Sequence, residues 1–352
     1  MTIKNINKKK NIILITKEFP PQLGGAGIIA SNIVSAIKNS NHKIILITSS
    51  SKLWFLFMFI KLKYYDLIKK NKTIIINDVG AMYVCGLALN KKKISKSILW
   101  LHGSEKEKAF KTKSKIKKLI FFNKVNLNLY KNVKYRVFVS NFLRKKFSDI
   151  KCFNGNSILI PNSISDTFTS TINSNRKKAI NEKVNILTVS RIVKDKGYFR
   201  FLETFKVLPS KYHWTIVGDG PDLETLKNKI KSYGLSQRVV FLGKQNQKQL
   251  LPLYQSHDIF VLLSDFEESF GLVYIEALYC GIPVLANDKG ALADTLQGLH
   301  GVSFVKPSDN SDIIYNKLTD LLSNYQTFND NKALILRRFG KDAFSTNLNK
   351  II

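Results

Sequence analysis

Residues 267–286 read EESFGLVYIEALYCGIPVLA, and the run DIFVLL at 258–263 stands just before them. An unbroken apolar run of that length, ending in an acidic loop, reads as a strand buried on both faces. Phe270 and Gly271 then open a helix, and Gly281 with Pro283 closes it and begins the next strand, IPVLA at 282–286. Strand, loop, helix and strand in that order make a parallel βαβ unit. The alternation extends toward the N-terminus. VNILTVS at 184–190, HWTIV at 213–217 and RVVFL at 238–242 read as strands of the same set. NIILIT at 11–16, KIILIT at 43–48, TIIIN at 73–77, SILWL at 97–101 and YRVFV at 135–139 form an earlier set, with a helix predicted over 27–38. The fold class is therefore α/β, two Rossmann-like doubly wound domains in series, with ligands expected at the carboxyl ends of the strands in the cleft between the halves. Residues 165–183 are polar and aperiodic and read as a linker between domains 1–164 and 184–330, with 331–352 as a helical tail. The helical pattern begins near 311, where Ile313, Ile314, Leu318, Leu321 and Leu322 share a face.

The bulk composition sets limits. With 352 residues and 44% hydrophobic content the chain suits two globular cores. Its longest apolar run, residues 53–60, falls short of the roughly 20 residues of a membrane-spanning helix. The run at 12–15 after Lys4, Lys8, Lys9 and Lys10 is too short for a signal-peptide core, so a cytoplasmic location is expected. Three scattered cysteines, Cys85, Cys152 and Cys280, exclude a disulfide framework and a paired-cysteine zinc site. Charge is the unusual property. Residues 1–160 hold 32 Lys+Arg against 6 Asp+Glu, net +26, whereas residues 161–352 hold 24 against 19, net +5. Such asymmetry fits a polyanionic partner, and it equally fits lysine accumulated without a role in a chain rich in Lys, Asn and Ile.

Several residues carry chemistry. Gly24, Gly25 and Gly27 sit where the first strand gives way to a helix, and glycines there let backbone amides approach a phosphate or sugar. The same glycines also serve tight packing. Glu268 falls in the loop at a strand's carboxyl end, and Glu276 follows about two helical turns later. Two carboxylates suit vicinal hydroxyls, which donate to an ionised acid; a solvated loop acid and an unrelated helix acid have the same spacing. Arg191 and Lys196 are fixed cations suited to a diphosphate. Pro221, Asp222 and Glu224 read as a helix start and not as catalysts. His102 ends a buried strand, and no Ser-His-Asp arrangement surrounds it.

The string from Glu268 to Glu276 resembles the Glu-x-Phe-Gly-x-x-x-x-Glu signature of the retaining glycosyltransferases of family 4, and CGIPVLA resembles that family's continuation. Ser190, Arg191 and Lys196–Gly197, the turn IVGDGP at 216–221, VVFLG at 239–243, GGAG at 24–27, LHG at 101–103, Ser140 and IPN at 160–162 follow in family order. The resemblance implies a GT-B enzyme that moves a sugar from a nucleotide diphosphate donor to a glycan or lipid-linked acceptor, with retention and without a metal or other cofactor. It implies catalytic roles for His102 and Glu268, and donor contacts from Gly25, Arg191, Lys196, Phe270, Gly271, Leu272 and Glu276, the last at the ribose. It assigns the acceptor to the first domain. There are departures: KGALAD replaces the usual Gly-Gly and glutamate after CGIPV, and Ser163 replaces the usual glycine after IPN. A nucleotide-sugar epimerase of similar architecture remains an alternative. A nucleic-acid partner is not expected, because the basic residues do not interleave with aromatics in a recognition pattern.

Residues 106–124, KEKAFKTKSKIKKLIFFNK, combine eight lysines with six large apolar side chains. The pattern fits a basic amphipathic segment on an anionic membrane surface, with 53–60 as a further apolar contact. A helix packed on its own sheet with solvated lysines fits it as well.

Overall fold

The computed structural model describes residues 9–20, 25–70, 72–103, 105–111, 114–152, 155–169, 183–324 and 329–352. The chain divides into two units, Met1–Ser163 with Lys341–Ile352, and Ile164–Gly340. Unit 1 is built on the strands β1 (Asn11–Ile15), β2 (Lys43–Ile47), β3 (Lys72–Ile76), β4 (Ile98–Leu101), β5 (Tyr135–Phe138) and β6 (Asn156–Leu159). They form one parallel sheet in the order β2-β1-β3-β4-β5-β6. Ile12 to Ile15 are fully buried, as expected of a central strand covered on both faces. Unit 2 repeats the plan with β7 (Val184–Val189), β8 (Tyr212–Val217), β9 (Val239–Gly243), β10 (Ile259–Leu262), β11 (Val284–Asn287) and β12 (Val302–Val305). Their order is β12-β11-β10-β7-β8-β9, again parallel. Its core gathers Trp214, Phe201 and Phe205, with ring centroids 5.0 and 5.5 Å from the indole.

In each sheet the order turns back on itself once. From β1 the chain moves out to β2 and returns to β3 on the other side; from β7 it moves out through β8 and β9 and returns to β10. Neighbouring strands whose connections leave in opposite directions open a crevice at their carboxyl ends. Lys17 follows β1 and Asp78 follows β3; Lys196 follows β7 and Glu268 follows β10.

Three parts of the chain differ from the sequence expectation. The edge strands β6 (NSIL) and β12 (VSFV) were not anticipated, because short half-exposed edges lack the apolar run that marks a central strand. The segment 165–183 begins with a short helix, Asp166–Thr169, whose Phe168 is buried 5.8 Å from the Tyr254 ring; residues 170–182 lie outside the described residues. Residues 331–352 do not form one tail. The helix Asn329–Phe339 belongs to unit 2, with Phe339 edge-on to Phe270 at 5.4 Å, while Lys341–Asn349 belongs to unit 1, with Phe344 5.7 Å from Trp100.

The basic stretch 106–124 is likewise divided. It comprises a π-turn (Lys106–Phe110), a short helix (Lys115–Leu119) and the start of the helix Phe122–Asn132, with Thr112 and Lys113 outside the described residues. Phe110 packs on Tyr130 and Phe147 at 5.3 and 6.2 Å, and Phe122 is buried 4.7 Å from Tyr83. Ile116, Leu119 and Phe121 face outward at 75%, 79% and 67% exposure. Only the middle of the segment therefore presents an apolar surface.

One backbone approach shapes unit 2. Gly197 has φ +76°, and a Cβ there would fall inside the van der Waals radius of the Leu263 carbonyl. Gly197→Ala is expected to lower stability by roughly 2 kcal/mol or more, since left-handed strain adds to a backbone clash. A thermal melt of the full chain checks this; an unchanged midpoint would mean that the turn relaxes at no cost.

Candidate active site

In unit 2 three loops meet beyond the ends of β7, β10 and β11. The carbonyl of Asp195 accepts the amides of Asp265 (2.8 Å) and Phe266 (3.0 Å). The buried Asn287 side chain donates to the Ser264 carbonyl (3.1 Å) and to Asp265 Oδ1 (3.0 Å). The Ala291 amide donates to the Glu268 carbonyl at 2.7 Å, and Gly290, at φ +74°, leaves no room for a Cβ against the backbone of residue 268. This lacing places the Lys196 ammonium on Glu268 Oε1 as an ion pair, with 18% and 14% of the two side chains exposed. The same ammonium lies 5.2 Å from the Phe266 ring centre. Lys196 and Glu268 are 72 positions apart in sequence, and the structure brings them together.

The helix Leu272–Tyr279 starts at Gly271, whose φ of +86° makes the sharp entry. Phe270 anchors that entry inward, and Tyr274 donates its hydroxyl to the Leu262 carbonyl at 3.0 Å, fixing the helix to the end of β10. The amides of Leu272 and Val273 precede the first hydrogen-bonded turn, which begins with the Tyr274 amide donating to the Gly271 carbonyl at 3.1 Å. Glu276 lies one turn further in and is buried, 5% exposed, where Oε2 accepts the Tyr254 hydroxyl at 3.1 Å. Burial pushes its carboxyl up to about 7, against the opposing pull of the Tyr254 hydrogen bond. Arg191 is exposed beside Ser190, whose hydroxyl meets the buried Tyr198 hydroxyl at 2.8 Å. Asp222 does not cap the helix that follows it; Oδ2 accepts the Lys194 amide at 2.7 Å and ties the turn 218–222 to the loop after β7.

In unit 1 a cavity of about 540 Å³ opens at the ends of β1, β3 and β4, and Lys17, Gly25, Trp54, Asp78, His102 and Glu105 are among the residues lining it. Gly24 lies outside the described residues. The His102 ring is fixed by Nε2, which donates to the Asn77 carbonyl at 2.8 Å; a carbonyl only accepts, so Nε2 carries a proton. Asn77 is fully buried and also donates to the Ala26 carbonyl (2.9 Å), so it couples His102 to the glycine turn. Glu105, 3% exposed, accepts the amides of His102 and Gly103 at 2.8 and 2.7 Å. Asp78 accepts the Thr16 hydroxyl and the amides of Lys17 and Ala81.

Sequence reasoning missed Asn77, Asp78, Glu105, Tyr254 and Asn287. Two left a visible signal: Asn77 and Asp78 stand where a buried strand meets a helix, as N-cap residues do. Tyr254 and Asn287 show only through contacts distant in sequence, and Glu105 through a local loop whose amides it accepts. Ser140 acts as a helix cap, accepting the Leu143 amide at 3.1 Å.

A family model described as glycosyl transferases group 1 matches residues 170–337. The chain is 32% identical over 173 residues to an uncharacterized 41.2 kDa protein in the cps region of Klebsiella pneumoniae, across 48% of this chain and 45% of that protein. It is 27% identical over 274 residues to the alpha-monoglucosyldiacylglycerol synthase of Acholeplasma laidlawii, across 71% of this chain and 68% of the relative. The Anabaena protein HepE, solved in complex with UDP, shares the fold with a TM-score of 0.71 at 17% identity, over 97% of this chain and 98% of that one. The chain spans less than half the length of the first curated relatives it matches. The matched segment, which contains Arg191, Lys196, Glu268 and Glu276, is a glycosyl transferases group 1 domain, and the two parallel sheets have the GT-B fold.

Proposed function

We propose that the protein is a retaining, metal-independent glycosyltransferase whose unit 2 binds a nucleoside diphosphate sugar and whose unit 1 binds a glycan or lipid-linked acceptor. The Lys196–Glu268 ion pair at the switch point of unit 2 carries this reading. In the reaction the acceptor hydroxyl oxygen bonds to the anomeric carbon, the bond from that carbon to the diphosphate oxygen breaks, and the hydroxyl proton leaves with the diphosphate. The oxygen enters on the face from which the diphosphate departs, which retains configuration. Lys196 and Arg191, with the first amides of the helix Leu272–Tyr279, neutralise the departing diphosphate as its charge grows. Glu268 accepts from sugar hydroxyls, Glu276 accepts from the ribose, and Phe270 and Gly271 hold the helix entry against the donor. Gly25 lets backbone approach the bound sugar, and His102 offers Nδ1 to one of its hydroxyls.

Peripheral attachment to an anionic membrane belongs to the same reading. Leu53, Leu56, Phe57 and Ile60 are exposed on and just before the helix Trp54–Ile68, as are Ile116, Leu119 and Phe121. Phe121 is the one non-glycine residue with positive φ among the described residues, at 53°, so an exposed aromatic is held outward in a strained conformation. Each lysine near an anionic surface adds about 1 kcal/mol. Wild type is expected to sediment with anionic vesicles at low salt, and Lys115→Gln/Lys118→Gln/Phe121→Ser to remain in the supernatant. Equal pelleting of the two would overturn the attachment.

Lys196→Ala and Glu268→Gln are each expected to remove most turnover while the thermal midpoint stays near that of wild type, because both residues act on bound donor. A thermal-shift screen against UDP, GDP, ADP and their sugars identifies the donor to use, since a ligand of the native state raises the midpoint. Wild-type rates in both variants would remove the assignment.

Glu276 separates stability from function. A carboxyl raised from its ordinary 4.5 to about 7 stabilises the fold below the lower value, and that contribution is lost as pH rises through the upper one. Glu276→Gln is therefore expected to melt higher than wild type at pH 8 and close to it at pH 4.5, while binding the nucleoside diphosphate more weakly. An unchanged dissociation constant would exclude the ribose contact.

A further inference from the structure

The cavity of unit 1 is formally balanced: Lys17, Lys108 and Lys117 face it, and so do Glu18, Asp78 and Glu105. The balance disappears once hydrogen bonds are counted. Both oxygens of Glu105 accept backbone amides, and both oxygens of Asp78 accept from the Thr16 hydroxyl and from amides. Their charge is spent on holding the loops after β1 and β4. Glu18 is the one carboxylate left to the cavity, against three ammonium groups.

Those ammonium groups keep donors to spare. Lys17 lies over the Trp54 ring at 4.8 Å and Lys117 over the Phe122 ring at 4.9 Å. An aromatic face attracts a cation without satisfying its N–H groups. None of the three lysines makes an ion pair among the described residues. Two cations held over rings at the walls of one concavity, with a third beside them, form a receptor for a compact anion with several oxygens.

We infer that this cavity recognises a phosphate group on the acceptor, with Lys17, Lys108 and Lys117 as its specificity-determining residues. This rests on the transferase reading above, in which unit 1 takes the acceptor. The surroundings favour a lipid as the bearer of the phosphate. Trp54 begins the helix that exposes Leu56, Phe57 and Ile60, and Lys117 stands between the exposed Ile116 and Leu119. A phosphate in the cavity would thus have apolar surface on two sides for its chain.

The test uses the full chain and Lys17→Gln/Lys108→Gln, whose side chains are exposed and whose loss leaves the core intact. Three probes are titrated: the nucleoside diphosphate from the screen, glycerol 1-phosphate, and vesicles of phosphatidylcholine with and without phosphatidic acid. The double variant is expected to bind the phosphate probe about tenfold more weakly or worse, two charge-assisted contacts being lost. Its affinity for the nucleoside diphosphate should stay within about twofold, because the charged contacts proposed for the diphosphate, Arg191 and Lys196, belong to unit 2. A loss seen with glycerol 1-phosphate supports the shared phosphate chemistry, and a loss confined to phosphatidic acid vesicles assigns the phosphate to a lipid. If the nucleotide binds but neither phosphate probe tells the variant from wild type, the inference is overturned and the transferase reading stands. If wild type binds no nucleotide, the transferase reading fails and the acceptor assignment goes with it.

Discussion

Two backbone amides converge on the Asp195 carbonyl, and the arrangement of unit 2 follows from that contact. Strands β7 and β10 are neighbours, yet their connections leave the sheet in opposite directions, so nothing in the strand pairing holds the loops beyond them together. The amides of Asp265 and Phe266 close that gap from one loop to the other. Gly197 permits it by lying against the Leu263 carbonyl without a side chain. With the loops joined, Lys196 reaches Glu268, and the cation and the acid keep a single separation. A site on such rigid backbone loses little entropy when it binds, because its charged groups are ordered beforehand.

The ion pair also bears on the energetics of binding. Removing one partner of this partly solvated pair leaves the other charge without its counter-ion, at a penalty well below the about 3–5 kcal/mol of a fully buried pair. A donor avoids that penalty in the proposed reaction. Its diphosphate replaces the carboxylate beside Lys196, and its sugar hydroxyls replace the ammonium beside Glu268, so each ion exchanges one partner for another. Glu276 follows different physics. It is buried against a tyrosine hydroxyl and not against a cation, and burial raises its carboxyl toward neutrality. Two ribose hydroxyls would add donors for its ionised form beyond the single Tyr254 hydroxyl.

The central elements of both sheets were legible in the sequence because their physics is local. Ile12 to Ile15, Ile74 to Ile76 and Phe260 to Leu263 are apolar runs that only a doubly covered strand accommodates. The edges β6 and β12 carry no such run, and their place is set by pairing with β5 and β11. For the site, Gly197 and Gly271, both at positive φ, were visible as glycines following Lys196 and Phe270 at the start of helices. The Lys196–Glu268 pair was not, since each had been read as free to bind a ligand. Glu105 was invisible for a related reason: an acid that holds a loop by its amides looks in sequence like any solvated loop acid.

That last point changes how charge is counted. The first half of the chain has a net +26, and such an excess by itself speaks only of solubility and non-specific attraction. Position gives it meaning. Asp66 takes up Lys72 and Lys93, and Asp149 takes up Lys106, so some of the scarce acids neutralise lysines that do not line the cavity. Asp78 and Glu105 are turned toward amides, and their field is drawn into the loops they cap. An acid bound to N–H groups still repels an anion, but the dipoles it faces cancel much of that repulsion at short range. The lysines around Trp54 and Phe122 then act with little opposition. A cavity whose formal charges sum to zero becomes cationic because the fold has assigned most of its acids to the backbone.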